Sequence, residues 1–306
     1  MSNLSGKKIA VLKGGPGSER EVSLASAAGV ARALRELGAE VVEIDVPGPG
    51  FDVPQDVFIA FNLIHGTFGE DGELQKELEG RKVLYTGEGV EGSTLAFDKI
   101  KTKRKFVEHG VPTAEFEIIK AGGRPSLPLP YVVKAPRQGS SVGVYIVKTA
   151  EEIDPALKDA AQYDDVLLVE KFVKGRELTV GILGDMALPI IEICPKQGFY
   201  DFKNKYPFLN AQGNSGAEHF CPAALDEAQT RLVQQTALQA QRALGLEVYS
   251  RVDVLLTDEG VASVLEINTI PGMTQASLLP EAAGVAGIGY GALCERIIEL
   301  SMARQK

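Results

Sequence analysis

The chain has 306 residues, 44% hydrophobic and 24% charged, enough apolar material for two or three packed units. Its net charge of −9 gives a mean field that repels phosphate, which argues against nucleic acid or an anionic membrane as partner. Three unclustered cysteines, Cys194, Cys221 and Cys294, suit neither a disulfide framework nor a zinc site; with no apolar leader or membrane-length run, they point to the cytoplasm.

Lys8 to Leu12 (KIAVL) reads as a buried parallel strand. From Glu19, apolar residues at Val22, Ala25, Ala28 or Gly29, Ala33 and Leu37 recur at helical spacing, and Gly38 supplies the stop. EVVEIDV (Glu40 to Val46) is the next strand, followed by DVFIAFNLIHG, a short helix around Leu74 to Leu78, and a strand in KVLYTG. This alternation predicts a parallel sheet with right-handed crossovers, ending near residue 95. Beyond Asp98 the pattern changes to a helix as far as Glu108, a strand in VPTAEFEIIK, a Pro/Gly-rich link, and strands in YVVKAP and VGVYIVK. DVLLVEKFV and ELTVGILG read as a strand pair joined by a tight VKGRE turn. Residues 226 to 244 form an amphipathic helix, with Leu232, Val233, Ala237, Ala240 and Leu244 inward and Gly245 as cap. A hairpin, SRVDVLLTDEGVASVLEINT, and a helix near Tyr290 to Met302 close an α+β second part.

The turn VLKGGPGSEREVS has the setting of a dinucleotide-binding loop, between a strand and a helix. The fingerprint G-x-G-x-x-G fails at its third glycine: after Gly15 and Gly17 the slot holds Arg20. Asp45 stands where a ribose-binding acid would lie, but the arginine defeats the close helix–strand packing the motif needs. What survives is a helix N-terminus after a glycine turn, able to receive a carboxylate.

The C-terminal hairpin carries more chemistry. Alternation puts Arg251, Asp253 and Leu255 on one face, and Val264, Glu266 and Asn268 on one face of the return strand, with position 253 expected opposite 264. Asp253, Glu266 and Asn268 then form an all-oxygen cluster suited to magnesium. A solvated sheet face is the plain alternative, weakened by the rigid NTIPGMT turn that follows. KAPRQGSSVGV offers backbone amides and hydroxyls to phosphate, or is a simple hairpin turn; it lacks the Walker ending. Lys99 and Lys134 each stand at a structural punctuation point. Glu170 and Glu177, on the expected strand pair, are placed for adenine and ribose, or are exposed strand acids. His65 lies in a glycine-rich loop at the ligand-binding end of the parallel sheet; His109 and His219 have no supporting neighbours. FYDFKNKYPFLNAQGNSG is longer than a connector needs and reads as a lid. No nucleophile elbow is present.

Taken in order, GGPGSEREVS, HGTFGEDG, TGEGVEGSTLAFDK, VVKAPRQGSSVGV, YDFKNKY, SRVDVLL and LEINTIPGMTQASLLP resemble the D-alanine–D-alanine ligases of the ATP-grasp superfamily, from about residue 7 to 302. The resemblance implies an α/β and α+β chain: an N-terminal parallel-sheet (pre-ATP-grasp) domain over 1–95, a central ATP-grasp lobe over 96–185, and a C-terminal lobe over 186–306 with metal site and lid. It implies a D-alanine carboxylate attacking the γ-phosphate of ATP, then a second D-alanine amine attacking the acyl phosphate, for peptidoglycan precursor synthesis. Carried over, Lys99, Lys134, Ser140 and Ser141 meet ATP phosphates; Glu170, Lys171, Phe172 and Val173 read adenine; Glu177 takes the ribose; Phe202 and Lys205 close over the nucleotide. Asp253, Glu266 and Asn268 hold two Mg²⁺ ions, with Mn²⁺ able to substitute. Glu19, Val22, Ser23 and His65 bind the first D-alanine, and Ser277 and Leu278 the carboxylate of the second. Arg251 and the Gly272 amide stabilise the oxyanion, and Glu19, Ser140 and Tyr206 form a hydrogen-bond network. The resemblance also implies a homodimer. Two departures stand out: VVKAP, where lysine followed directly by proline is more usual, and a lid a few residues longer than the family's pattern leads one to expect. The lid's Lys205–Tyr206 pair favours an amine over D-lactate as second nucleophile; a D-alanine–D-lactate or other carboxylate–amine ligase is the alternative, and a nucleotide-binding module without catalysis another.

Overall fold

The computed structural model describes residues 3–195 and 217–306. Strand β1 (Lys8–Gly14) lies between β2 (Glu40–Val46) and β3 (Ile59–Asn62) in a three-stranded parallel sheet. Its alternation divides two cores. Ile9 and Val11 face one side with helices Arg20–Glu36 and Tyr290–Arg304; Ala10 and Leu12 face the other with Phe51, Phe68, Leu74 and Tyr85. Apolar side chains on both faces are what a parallel strand covered on both sides requires. The helix expected from Glu19 forms, but its phase differs. Val22, Ser26, Ala27, Val30, Ala31 and Leu34 are buried, whereas Ala25 and Ala28 are exposed. The alanine-rich sequence sets the period but leaves the buried face open, because alanine is tolerated on either side. KVLYTG contributes one parallel bridge, Tyr85 to Ala60, rather than a full strand. A helix over Val90–Phe97, not anticipated, leads to Lys99–Glu108, whose N-cap Asp98 accepts from the Ile100 and Lys101 amides.

The middle of the chain forms an antiparallel sheet in the order β4 (Phe116–Lys120), β7 (Val166–Lys171), β5 (Tyr131–Lys134), β6 (Val144–Val147). Tyr131, Val133, Leu167 and Val169 pack under helix Ile153–Ala160, so the alternate positions Val132, Lys134 and Glu170 turn to the opposite face, which lines a cleft.

The third sheet runs β11 (Ala217–Phe220), β10 (Ile191–Pro195), β8 (Arg176–Leu183), β12 (Tyr249–Leu256), β13 (Ala262–Asn268), with β9 (Met186–Ala187) paired to β8. The expected β7–β8 hairpin is therefore corrected. The two strands belong to different sheets, and residues 172–175 cross between them, so Glu170 and Glu177 face each other across a cleft rather than along one ribbon. Gly175 is required at this crossing because a Cβ there would lie 2.6 Å from the Leu256 carbonyl oxygen. The sheets change at this point, about ten residues ahead of the lobe boundary expected at 185.

Helix Glu227–Ala243 covers one face of the third sheet, burying Val233, Ala237 and Ala240 against Leu178, Val180, Val252, Val254, Val264 and Ile267. Leu232, expected inward, is 38% exposed. Asp226 and Gln229 close its N-terminus as a capping box. A last short helix, Leu278–Val285, joins Tyr290–Arg304 in tying this sheet to the first.

Candidate active site

The hairpin register is set by a bulge. Asp253 pairs with Glu266 and Arg251 with Asn268, but Val254 pairs with Val264, so Leu265 is the extra residue on β13. The expected pairing of 253 with 264 is thus overturned. The insertion also resets the faces: Val264 joins the core with Ile267, and Leu265 and Glu266 both border the cleft with Asp253 and Leu255. The two carboxylates are directly opposite, which strict alternation from 264 would not have produced.

This face is partly withdrawn from solvent, with Glu266 and Asn268 half-buried. Arg251 and Asp253 are buried, and the guanidinium forks onto the carboxylate, Nε to Oδ1 at 2.9 Å and Nη2 to Oδ2 at 2.8 Å. Thr179 on β8 donates to the same Oδ1 at 2.6 Å. Glu266 accepts an ion pair from Lys99 at 3.3 Å, and Lys99 also donates to the Gln138 carbonyl at 2.8 Å. The lysine thus links the metal-type face of the third sheet to the phosphate-type loop of the second. Asn268 Oδ1 accepts from the Ile270 amide at 2.9 Å, which orients the side chain at the strand end. Among the described residues no group of three His, Cys, Asp or Glu side chains gathers as a metal site. The donor set here is two carboxylates and an amide oxygen, all hard ligands, which fits magnesium and excludes a zinc-type site.

The loop between β5 and β6 holds Ser140 and Ser141 in left-handed conformations, φ 51° and 62°. Successive residues held there turn their amides toward one side, as anion-binding loops do. Ser140 donates to Glu19 Oε1, joining this loop to the one before helix Arg20–Glu36. Gly66 and Gly139 both come close to the Glu19 carboxylate: a Cβ would lie 3.0 Å from Oε2 at the first and 3.1 Å at the second. Glu19, Lys99, Ser140, Arg251, Glu266 and Asn268 line one small pocket. Lys134, Ser141, Glu170, Lys171, Phe172, Val173, Glu177 and Asp253 line the larger adjoining cleft, of about 860 Å³, within the usual range for nucleotide-sized ligands.

His65 is buried, its Nδ1 2.9 Å from the Ile270 carbonyl and 3.5 Å from Glu70. A carbonyl only accepts, so Nδ1 carries the proton. Burial works to lower the imidazole pKa, but Glu70, Glu19 and the Ile270 carbonyl outweigh it and the net shift is upward. Glu70, which sequence reasoning passed over, borders the small pocket; burial raises its carboxyl above the ordinary range. The HGTFGEDG motif is built around Gly69, where a Cβ would lie 1.9 Å from the Ile64 carbonyl oxygen. The Gly69 carbonyl accepts from Asn62 at 3.0 Å and Gln75 at 2.8 Å. Gly69→Ala should therefore destabilise the fold by about 3 kcal/mol or more, through backbone displacement and buried amides left without partners, measurable by urea unfolding.

Val22 and Ser23 are fully buried in the first helical turn, Ser23 Oγ accepting from the Gly14 amide at 2.9 Å. Gly272 and Ser277 lie together: a Cβ at 272 would stand 2.8 Å from Ser277 Oγ, which accepts from the Thr274 amide at 3.0 Å. Ser277 is the N-cap residue of the helix that begins at Leu278, itself buried. Phe202, Lys205 and Tyr206 lie outside the described residues. Lys103, also passed over, stands behind Glu170; the available signal was its position four residues after Lys99 on one helix face. At the first loop, Arg20 forks onto Asp45, with Nη1 to Oδ1 at 2.9 Å, so the acid that mimics a ribose ligand is already paired. That contact removes the basis of the dinucleotide reading of this loop.

A family model described as "D-ala D-ala ligase C-terminus" matches residues 105–299. The D-alanine–D-alanine ligase of Methylacidiphilum infernorum is 48% identical over 300 residues, covering 98% of this chain and 97% of that protein. The enzyme of the same name from Citrifermentans bemidjiense is 46% identical over 306 residues, covering 98% and 97%. The crystal structure of D-alanine–D-alanine ligase from Bacillus anthracis complexed with ATP superposes with a TM-score of 0.83 at 31% identity, over 98% of each chain. Agreement across the parallel-sheet unit as well as the cleft places the whole chain, not one module of it, in the D-alanine–D-alanine ligase family.

Proposed function

We propose that the chain joins two D-alanine molecules into D-alanyl-D-alanine with conversion of ATP to ADP and phosphate, a step that supplies peptidoglycan precursors. The observation that carries this reading is the meeting of Lys99, Arg251, Asp253 and Glu266 with the Glu19–Ser140 contact at the junction of a small pocket and a nucleotide-sized cleft. ATP takes the cleft, with adenine between Glu170 and the backbone of Lys171 to Val173, ribose at Glu177, and phosphates toward Lys134, Lys99, Ser140 and Ser141. Phe202 and Lys205, outside the described residues, are further ATP-binding residues in this reading. Asp253, Glu266 and Asn268 would hold Mg²⁺, two ions in this reading with Mn²⁺ able to substitute; bound there, the metal adds positive charge beside the phosphate oxygens.

The first D-alanine occupies the small pocket, its ammonium at Glu19, with Val22 and Ser23 shaping the loop and His65 near its carboxylate. That carboxylate attacks the γ-phosphorus, ADP departs, and an acyl phosphate remains. The second D-alanine, its carboxylate at Ser277 and the Leu278 amide, attacks the carbonyl through its amine. Arg251 and the Gly272 amide offset the oxyanion charge, and phosphate leaves as the amide bond forms. The amine proton passes to the Glu19, Ser140 and Tyr206 network. No protein nucleophile is needed; positioning and charge do the chemistry. We further propose three domains, with the second boundary at Gly175 where the sheets change, a homodimeric state, and a cytoplasmic location; among the described residues no helix is long and apolar enough to cross a membrane.

Phosphate release from ATP and Mg²⁺ tests the reading. D-alanine should stimulate it strongly, L-alanine not at all, and D-lactate added with D-alanine less than a second D-alanine does. No D-alanine-dependent phosphate sinks the proposal; faster turnover with D-lactate transfers it to the ester-forming variant.

A further inference from the structure

Among the described residues only two lysines are buried, Lys134 and Lys103. Lys134 borders the cleft, but Lys103 touches neither pocket. It stands one turn after Lys99 on helix Lys99–Glu108, with its ammonium 2.6 Å from Thr113 Oγ1 and 5.7 Å from the centre of the Phe116 ring. Its charged partner is Glu170, whose two oxygens are divided between two lysines: Oε1 lies 3.3 Å from Lys103, and Oε2 accepts from Lys134 at 2.9 Å. Side-chain exposure rises along the row, 2% for Lys103, 3% for Glu170 and 10% for Lys134.

Two cations share one anion, so the row carries a net positive charge in a nearly dry wall. Burial works against Glu170 ionising, but Lys134 and Lys103 overcome it and hold the carboxyl below its ordinary range. Burial also brings the Lys103 ammonium down to about 8, with Glu170 keeping it charged at neutral pH. Without Lys103 the row would be a one-to-one pair and Lys134 would be neutralised at the cleft wall. An uncompensated buried cation is unfavourable until an anion arrives, and the ligand of this cleft, on the ATP reading above, brings phosphates. We propose that Lys103 is a positioning residue for nucleotide binding: it takes up the charge of Glu170 and so leaves Lys134 positive toward the phosphates of ATP.

Calorimetric titration of the full chain with ATP and Mg²⁺, in the absence of D-alanine, tests this independently of whether ligation occurs. Lys103→Met should weaken ATP binding about tenfold or more, while kcat at saturating ATP stays within about threefold. Glu170→Gln in the Lys103→Met background should recover ATP affinity to within about threefold of the Glu170→Gln single variant, because no carboxylate then remains to cancel Lys134. Unchanged ATP affinity in Lys103→Met overturns the proposal. If Lys103→Met does not fold, the comparison of Glu170→Gln with the double variant decides. With Glu170 neutral, Lys103 has no charge to take up, and a further loss of affinity beyond threefold shows a purely structural role.

Discussion

Glu266→Gln should lower D-alanine-dependent turnover by about two orders of magnitude or more while leaving the melting temperature within a few degrees of wild type. Two independent features lead to the first half. Glu266 supplies one of only two carboxylates in the magnesium-type set, directly opposite Asp253, and it is the ion-pair partner of Lys99, which in turn holds the Gln138 carbonyl of the phosphate-type loop. Gln keeps the shape but removes the negative charge, so both the metal and the lysine lose their partner. Loss of one preorganised electrostatic contact costs about 10²–10³ in turnover elsewhere. The second half follows from exposure: the Glu266 side chain is 33% exposed, and an ion pair in that setting contributes little to folding. A phosphate-release assay at several magnesium concentrations beside a thermal melt reads both. Activity near wild type at low magnesium would refute the assignment.

Arg251→Met should differ from Glu266→Gln by damaging both properties. Arg251 and Asp253 are buried and forked together, with Thr179 as the further hydrogen-bond donor to the carboxylate. Removing the guanidinium leaves a buried carboxylate with, among the described residues, one hydroxyl partner, a defect of about 3–5 kcal/mol. It also removes a cation proposed to offset the oxyanion charge, for an expected loss of about a thousandfold in turnover. Arg251→Lys separates the effects: the charge remains without the fork, so the fold should hold near wild type while turnover falls by about a hundredfold. Urea unfolding and phosphate release on both variants give the comparison; a Lys variant as active as wild type would show that the fork geometry is dispensable.

The features legible from the chain were those fixed over short distances. The parallel strand Lys8–Gly14, the strand Glu40–Val46, the helix Glu227–Ala243 and the hairpin of β12 and β13 follow from period, turn residues and caps, all of which act within a few residues. The family was legible for the same reason, since GGPGSEREVS, HGTFGEDG and NTIPGMT are each contained in one short segment. Tertiary structure decided the rest. Whether β7 pairs with β8 depends on which other strands compete for their edges, and β5 and β12 win those places. The bulge that brings Asp253 opposite Glu266 arises where the sheet accommodates one extra residue, and a period-two reading has no means to locate it. Nor can a sequence tell an exposed lysine from Lys103: its charge is ordinary on a surface helix and consequential only because folding removes it from water beside Glu170. Local backbone preference is written residue by residue, whereas desolvation and strand partnership are properties of the closed molecule.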